Sequence, residues 1–248
     1  MSKPAASSRV FAFMLPPELS AVPVHALRRT PISGSPYLTA QKTVSYTPGI
    51  AWIGDAGRGV AVVKDVVGLG YAGTTSWDVE YELRDIRAFY KEARLYFGQQ
   101  AAFSSIQNEK GDVLHLAVEA RYTDQAPWNA GVLLSDGKSL TSRTMVPLCN
   151  LLLLPRFPVV VLSNLAADQP QTSATAAPLL LSSGARMVVC NTYTPSRKLK
   201  KYFGEVFYTA LLGGATPEQA FRKAQQDMMR NPEFSSPLVW SSFFLWGR

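Results

Sequence analysis

Val159-Val160-Val161-Leu162-Ser163-Asn164-Leu165-Ala166 decides how this chain is built. Four apolar residues in a row, three of them β-branched, leave no polar face to alternate with. Such a run suits a strand buried on both sides, as in a parallel sheet covered by helices. Pro158 before it and Ser163-Asn164 after it suggest a short strand running into a loop. Leu114-His115-Leu116-Ala117-Val118-Glu119-Ala120 has the same character. Continuous apolar runs also stand at Val60–Val63, Met187–Cys190 and Phe243–Trp246.

Helical spacing fills the intervals. Within 77–91, Val79, Leu83, Ile86 and Tyr90 share one face, with Asp78, Glu80 and Glu82 early and Arg84, Arg87 and Lys91 late, as the helix dipole favours. From Leu199 to Leu212 the apolar residues follow i, i+3, i+4, i+7, i+8, and Gly213-Gly214 ends the run. Thr216-Pro217-Glu218-Gln219 has the form of a capping box with proline at the first helical position, and that helix should stop near Asn231-Pro232. A further helix is expected over 141–154. In 171–183, Pro178 either kinks a helix or begins one. Residues 1–50 are rich in proline and serine, with strand-like pieces at Val10–Met14 and Thr43–Tyr46 that suggest a layer of short antiparallel strands. Alternating strands and helices imply an open three-layer α/β domain. In such sheets functional loops gather at the carboxyl ends of strands, and Glu119 and Asn164-Leu165 stand at two such ends.

The 248 residues are 47% hydrophobic, enough for one large core, and carry a formal charge of +7. Charged residues, at 17%, fall below the ~25% usual for a soluble domain. Either a partner covers part of the surface or the sheet is unusually well buried. The densest basic run, Arg197-Lys198-Leu199-Lys200-Lys201, reads as the solvated outer face of a helix. No zinc-finger spacing, RNA-binding aromatic signature or P-loop accompanies the charge. Two cysteines, Cys149 and Cys190, and two histidines, His25 and His115, imply neither a disulfide framework nor a metal cluster. Proline and arginine interrupt the most apolar stretch, 146–166, so no spanning helix is expected; Val10–Leu15 is too short for a signal sequence, and a cytoplasmic protein is expected.

Several stretches, in order, resemble the CHAT domain, a caspase-like module often found after tetratricopeptide repeats. They are Pro23-Val24-His25-Ala26-Leu27, Tyr37-Leu38, Val44-Ser45-Tyr46-Thr47-Pro48, Leu114–Ala117, Gly131–Gly137 with Leu140-Thr141, Val159–Ser163, Ser183–Val189, Ala210–Gly214, Ala220–Gln225 and Trp240–Gly247. The resemblance spans about 9–248 and implies one caspase-like α/β unit, with 1–50 as a strand-rich N-terminal segment and 51–248 as the core. It further implies a mostly parallel central sheet with helices on both faces.

The resemblance also implies a Cys/His-dyad peptidase ancestry, in which an activated thiolate attacks the peptide carbonyl. The family's histidine position falls on Glu119 and its cysteine position on Leu165. Leucine offers no nucleophile, and a glutamate base has nothing beside it to activate. The expected catalytic set is therefore empty, with no cofactor and no metal. Glu119, Asn164, Leu165, Asp168 and Tyr193 are candidates for groove or partner contacts. Cys149 and Cys190 read as packing residues, His115 as a structural, hydrogen-bonded histidine, and His25 as a packing position. Ser163 has a nucleophile's hydroxyl but no histidine near it in sequence and no nucleophile elbow. The leading expectation is a pseudo-peptidase that binds a protein or peptide in a larger assembly, partnered by an active peptidase or a repeat-containing region. The alternatives are an active cysteine endopeptidase with a displaced dyad and, last, a basic nucleic-acid-binding module.

Overall fold

The computed structural model describes residues 10–15, 19, 22–28, 37–49, 63–71, 78–121, 131–138, 143–147, 157–165, 171–192 and 195–247. In chain order the elements are β1 (Val10–Phe13), α1 (Leu38–Gln41), β2 (Thr43–Tyr46), β3 (Val66–Tyr71), α2 (Asp78–Phe89), β4 (Arg94–Phe97), α3 (Phe103–Ile106), β5 (Val113–Arg121), β6 (Gly131–Ser135), β7 (Arg143–Pro147) and β8 (Val159–Leu165). There follow α4 (Gln171–Ser182), β9 (Met187–Asn191), α5 (Arg197–Leu212), α6 (Pro217–Arg230), α7 (Pro237–Trp240) and β10 (Phe243–Gly247).

The strands form one sheet in the order β1-β2-β10-β9-β8-β5-β3-β4, with β6 and β7 branching from the end of β5. Pairing is parallel throughout the centre, where β5 lies between β3 and β8. Strand β10 runs antiparallel to β9. Successive residues of β5, β8 and β9 are buried on opposite faces: Leu114, Val160 and Val188 in one core with α4, and Val113, Val159 and Met187 in the other with α2, α5 and α6. This is the three-layer, mostly parallel α/β fold that the apolar runs imply, in keeping with the caspase-like arrangement that the resemblance implies. Among the described residues, no helix is long and apolar enough to cross a membrane.

Several sequence expectations need correction. The strand expected at Val60–Val63 does not include Val63, which lies outside any strand; 60–62 fall outside the described residues, and a strand stands instead at Val66–Tyr71. Its signal is masked by Gly68 and Gly70, which the packing requires. A Cβ on Gly70 would stand 2.7 Å from Leu83 Cδ1 and 3.0 Å from Val79 Cγ1, so glycine lets α2 sit close on the sheet. Of the helix expected over 141–154, residues 141–142 lie outside the described residues, and 143–147 instead form β7, which pairs antiparallel with β6. The turn between them includes Gly137, whose positive φ of 79° suits glycine; 148–154 lie outside the described residues. The N-terminal strands are not an antiparallel layer. Strand β1 pairs parallel with β2, and β2 parallel with β10, extending the same sheet. The long stretch between β1 and β2 gives the chain length enough to return and start again in the same direction.

Helix α4 runs through Pro178 without ending. Helix α6 begins with the expected capping box: the Thr216 hydroxyl accepts from the Gln219 backbone N–H, and the Gln219 side chain accepts from the Thr216 N–H at 3.0 Å.

Candidate functional site

The carboxyl ends of β5 and β8 lie side by side. Their register is regular from Val113↔Val159 to Leu116↔Leu162, slips at a bulge, and resumes with Glu119↔Asn164 and Ala120↔Leu165. Glu119 and Leu165 thus stand on adjacent strands, one register step apart. Both lie inside strands rather than in loops, because β5 continues to Arg121 by pairing with β6. Glu119 is half-buried. Asp168, Tyr193 and Cys149 lie outside the described residues.

Both histidines of the chain are buried and engaged at both ring nitrogens. The His25 ring stands 2.7 Å from the Tyr46 hydroxyl through Nδ1 and 3.0 Å from the Ser241 carbonyl through Nε2. A carbonyl only accepts, so Nε2 carries the proton and Nδ1 accepts from Tyr46. Burial lowers the His25 pKa to about 4, although the Ser241 hydrogen bond opposes the shift. His25 is accordingly neutral and packs among the rings of Tyr46, Trp240 and Phe244.

His115, at the centre of β5, has its Nδ1 2.7 Å from the Tyr208 hydroxyl and its Nε2 2.9 Å from Glu82 Oε1. Burial, reinforced by the charge of Glu82, pushes the Tyr208 hydroxyl well above its ordinary pKa, so it remains a donor. The chain of protons then runs from Tyr208 to Nδ1, and from Nε2–H to the Glu82 carboxylate. Glu82 also faces the Lys200 ammonium, with Nζ 2.9 Å from Oε2. Burial alone would raise the Glu82 pKa. The His115 hydrogen bond and the charge of Lys200 outweigh it, holding the carboxyl below its usual range.

This cluster corrects the reading of the basic run as a solvated face. Arg197, Lys198 and Lys201 are exposed, but the Lys200 side chain is only 6% exposed and turns inward to Glu82. Lys200 shares the inward face of α5 with Phe203 and Phe207, three and seven residues on. Glu82 shows the same pattern in α2, next to Leu83 and three residues after Val79. Sequence reasoning missed Glu82, Lys200 and Tyr208 as site residues. The available signal was an acid and a base, each on the apolar stripe of its own helix. Ser163 does lie near His115 in space, but its hydroxyl donates to the Leu116 carbonyl at 3.4 Å rather than to the imidazole. Cys190 is 2% exposed in the middle of the sheet, and burial pushes its thiol pKa up, away from the thiolate. Among the described residues no group of histidines, cysteines and carboxylates could hold a metal ion.

The strand order, the paired ends of β5 and β8 and the helices on both faces define a caspase-like α/β domain. The family model described as CHAT domain matches residues 3–248, and the chain belongs to that family. No curated protein matches it. Among solved structures, the pyridoxal kinase of Staphylococcus aureus is similar in its complex with ADP at 12% identity, with a TM-score of 0.32. In its complex with AMP-PCP the identity is 13% and the TM-score 0.31. Each likeness covers 64% of this chain and 84% of the kinase, an overlap too slight to bear on fold or function.

Proposed function

We propose that this CHAT domain is a pseudo-peptidase, a caspase-like scaffold that binds a protein or peptide without cutting it. One observation carries the reading. A Cys/His peptidase needs an imidazole free to exchange a proton with a nucleophile and a leaving group. The chain has two histidines, and each is buried with both ring nitrogens committed to neighbours. Glu119 and Leu165, at the positions of the family's dyad, complete neither half of it. The rim at Glu119, Asn164 and Leu165 is then a contact surface, Asp168 and Tyr193 are further candidate contacts outside the described residues, and the partner is an active peptidase or a repeat-containing region.

Hydrolysis of a peptide library by the purified chain, with and without thiol alkylation, tests this. The expected result is no cleavage in either state. Cleavage abolished by alkylation, and by Cys149→Ala or Cys190→Ala, overturns the proposal in favour of a displaced dyad.

A further inference from the structure

Strand β1 ends the sheet, with β2, β10 and β9 between it and the rim at β8. It pairs with β2 on one side, and among the described residues no strand pairs with its other side. One hydrogen bond fixes which residues face outward: the Phe13 carbonyl accepts from the Thr47 N–H at 2.9 Å. In a strand the N–H and C=O of one residue point to the same side, and those of the next point to the opposite side. Phe11 and Phe13 therefore address β2. Val10 and Ala12 turn their N–H and C=O groups away from the sheet, and Met14 is next in that alternation.

Free edges invite another strand, and proteins usually guard them with charge, proline or a bulge. The run Val10-Phe11-Ala12-Phe13-Met14-Leu15 contains no charge and no proline, and β1 pairs with β2 in unbroken register. Its side chains are apolar on both faces, and Val10, Phe11 and Met14 are all exposed. Of the nine large hydrophobic residues exposed among the described residues, six lie between Val10 and Leu27. Exposed apolar surface thus gathers at this edge instead of scattering, which marks an interaction surface.

The order of the side chains selects the occupant. Val10-Phe11-Ala12-Phe13-Met14 is symmetric in residue type about Ala12. A two-fold axis through Ala12 lays this strand antiparallel to its own copy, with Ala12 opposite Ala12, Val10 opposite Met14 and Phe11 opposite Phe13. The outward N–H and C=O groups of Ala12 then pair reciprocally, as do those of Val10 and Met14. Phe11 and Phe13 fall at the close, non-hydrogen-bonded positions, where facing Cα atoms stand ~4.5 Å apart and side chains pack most tightly. Phe13 already packs on the core shared with α4, so the Phe11 of a second copy extends that apolar layer. With no charge in the segment, the +7 of each chain is not concentrated where the copies meet.

We propose that β1 is the contact between two copies of this chain, joined edge to edge into one continuous sheet. Five residues per copy are far fewer than the about 20–30 a side of a standard interface, so the dimer is weak and concentration-dependent.

Sedimentation velocity of the full chain over a wide concentration range, with amide hydrogen exchange by NMR, tests this. The expected result is a closed monomer–dimer equilibrium. Exchange at the Ala12 amide should slow as concentration rises, while the Phe13 amide, which faces β2, keeps its rate. Ala12→Pro removes an outward N–H without touching the β2 pairing and should weaken the dimer at least about tenfold. Ala12→Cys should cross-link two copies under mild oxidation beyond the level of the parent, because facing Cα atoms of a hydrogen-bonded pair stand ~5.5 Å apart, within disulfide range. Phe11→Cys should not, since its own equivalent is not opposite. Should Ala12→Pro unfold the chain, the two cysteine variants decide. A monomer at every concentration overturns the proposal. So does a dimer that neither responds to Ala12→Pro nor cross-links through Ala12→Cys, and so does open-ended growth. Protection of the Ala12 amide that is independent of concentration overturns it too, since another part of the chain would then cover the edge.

Discussion

Replacing Lys200 by methionine removes a charge while keeping the length and apolar stem of the side chain. Lys200 and Glu82 are 6% and 7% exposed, with Nζ and Oε2 2.9 Å apart. Unit charges at that separation attract by about 6 kcal/mol at an effective dielectric near 20. Part of this is recovered by relaxation, since Glu82 keeps the His115 N–H. Breaking one partner of a buried pair typically costs about 3–5 kcal/mol, because the other charge is stranded. For a chain of this size that lowers Tm by about 6–20 °C. Glu82→Gln should cost a similar amount by stranding the ammonium. The double variant, with neither charge, should be far more stable than the summed single losses imply. Urea unfolding followed by tryptophan fluorescence measures all three. A Lys200→Met variant within about 1 kcal/mol of the parent, or two losses that simply add, would refute the buried pair as the joint between α2 and α5.

Other outcomes are expected from the same geometry. His25 is neutral when folded, with a pKa of about 4 against 6.5 for the unfolded chain, so the unfolded state binds the extra proton between those values. Stability should therefore fall by roughly 3 kcal/mol from this group as pH drops from about 6.5 to 4. In His25→Gln the stability curve should be flatter across that window, and an unchanged slope would contradict the assignment. Gly70→Ala forces a methyl against Leu83 and Val79 and should cost about 1–3 kcal/mol in urea unfolding. Thr216→Ala removes half of the capping box of α6 and should cost about 1 kcal/mol. Cys190 should resist iodoacetamide in the native protein and react only on unfolding, as mass spectrometry would show.

How much of this was legible in the sequence follows a physical rule. Where one pattern determined the outcome, the reading held: the β-branched run at Val159, the spacing of α5 and the Thr216 cap each specify their element locally. Where a distant neighbour decided, it did not. The strand at Val66–Tyr71 is disguised by glycines that make sense only with Leu83 and Val79 pressed against them. Strand β7 is recognisable only through its partner β6, and Lys200 looks like solvent-facing charge until Glu82 is placed opposite. Of the candidate site, the adjacency of the β5 and β8 ends could be foreseen from topology. The bulge that offsets Glu119 and Leu165 by one step could not, since bulges depend on cross-strand fit.

The pairing of β2 with β10 matters while the protein is being made. Tyr46 lies opposite Trp246, two hundred residues later in the sequence. The His25 ring is held by the Ser241 carbonyl across a similar span. At roughly 5–20 residues per second, a ribosome needs about 10–40 s to supply the second partner of each contact. During that interval the first strands have no sheet to join, and the apolar side of Val44 and Tyr46 has no cover from β10. A nascent chain stalled before Trp240 should therefore be held by chaperones and cut readily by proteases within its first fifty residues. Release of the last strand should protect that segment in a single late step, so that the beginning of the chain is among the last parts to become native.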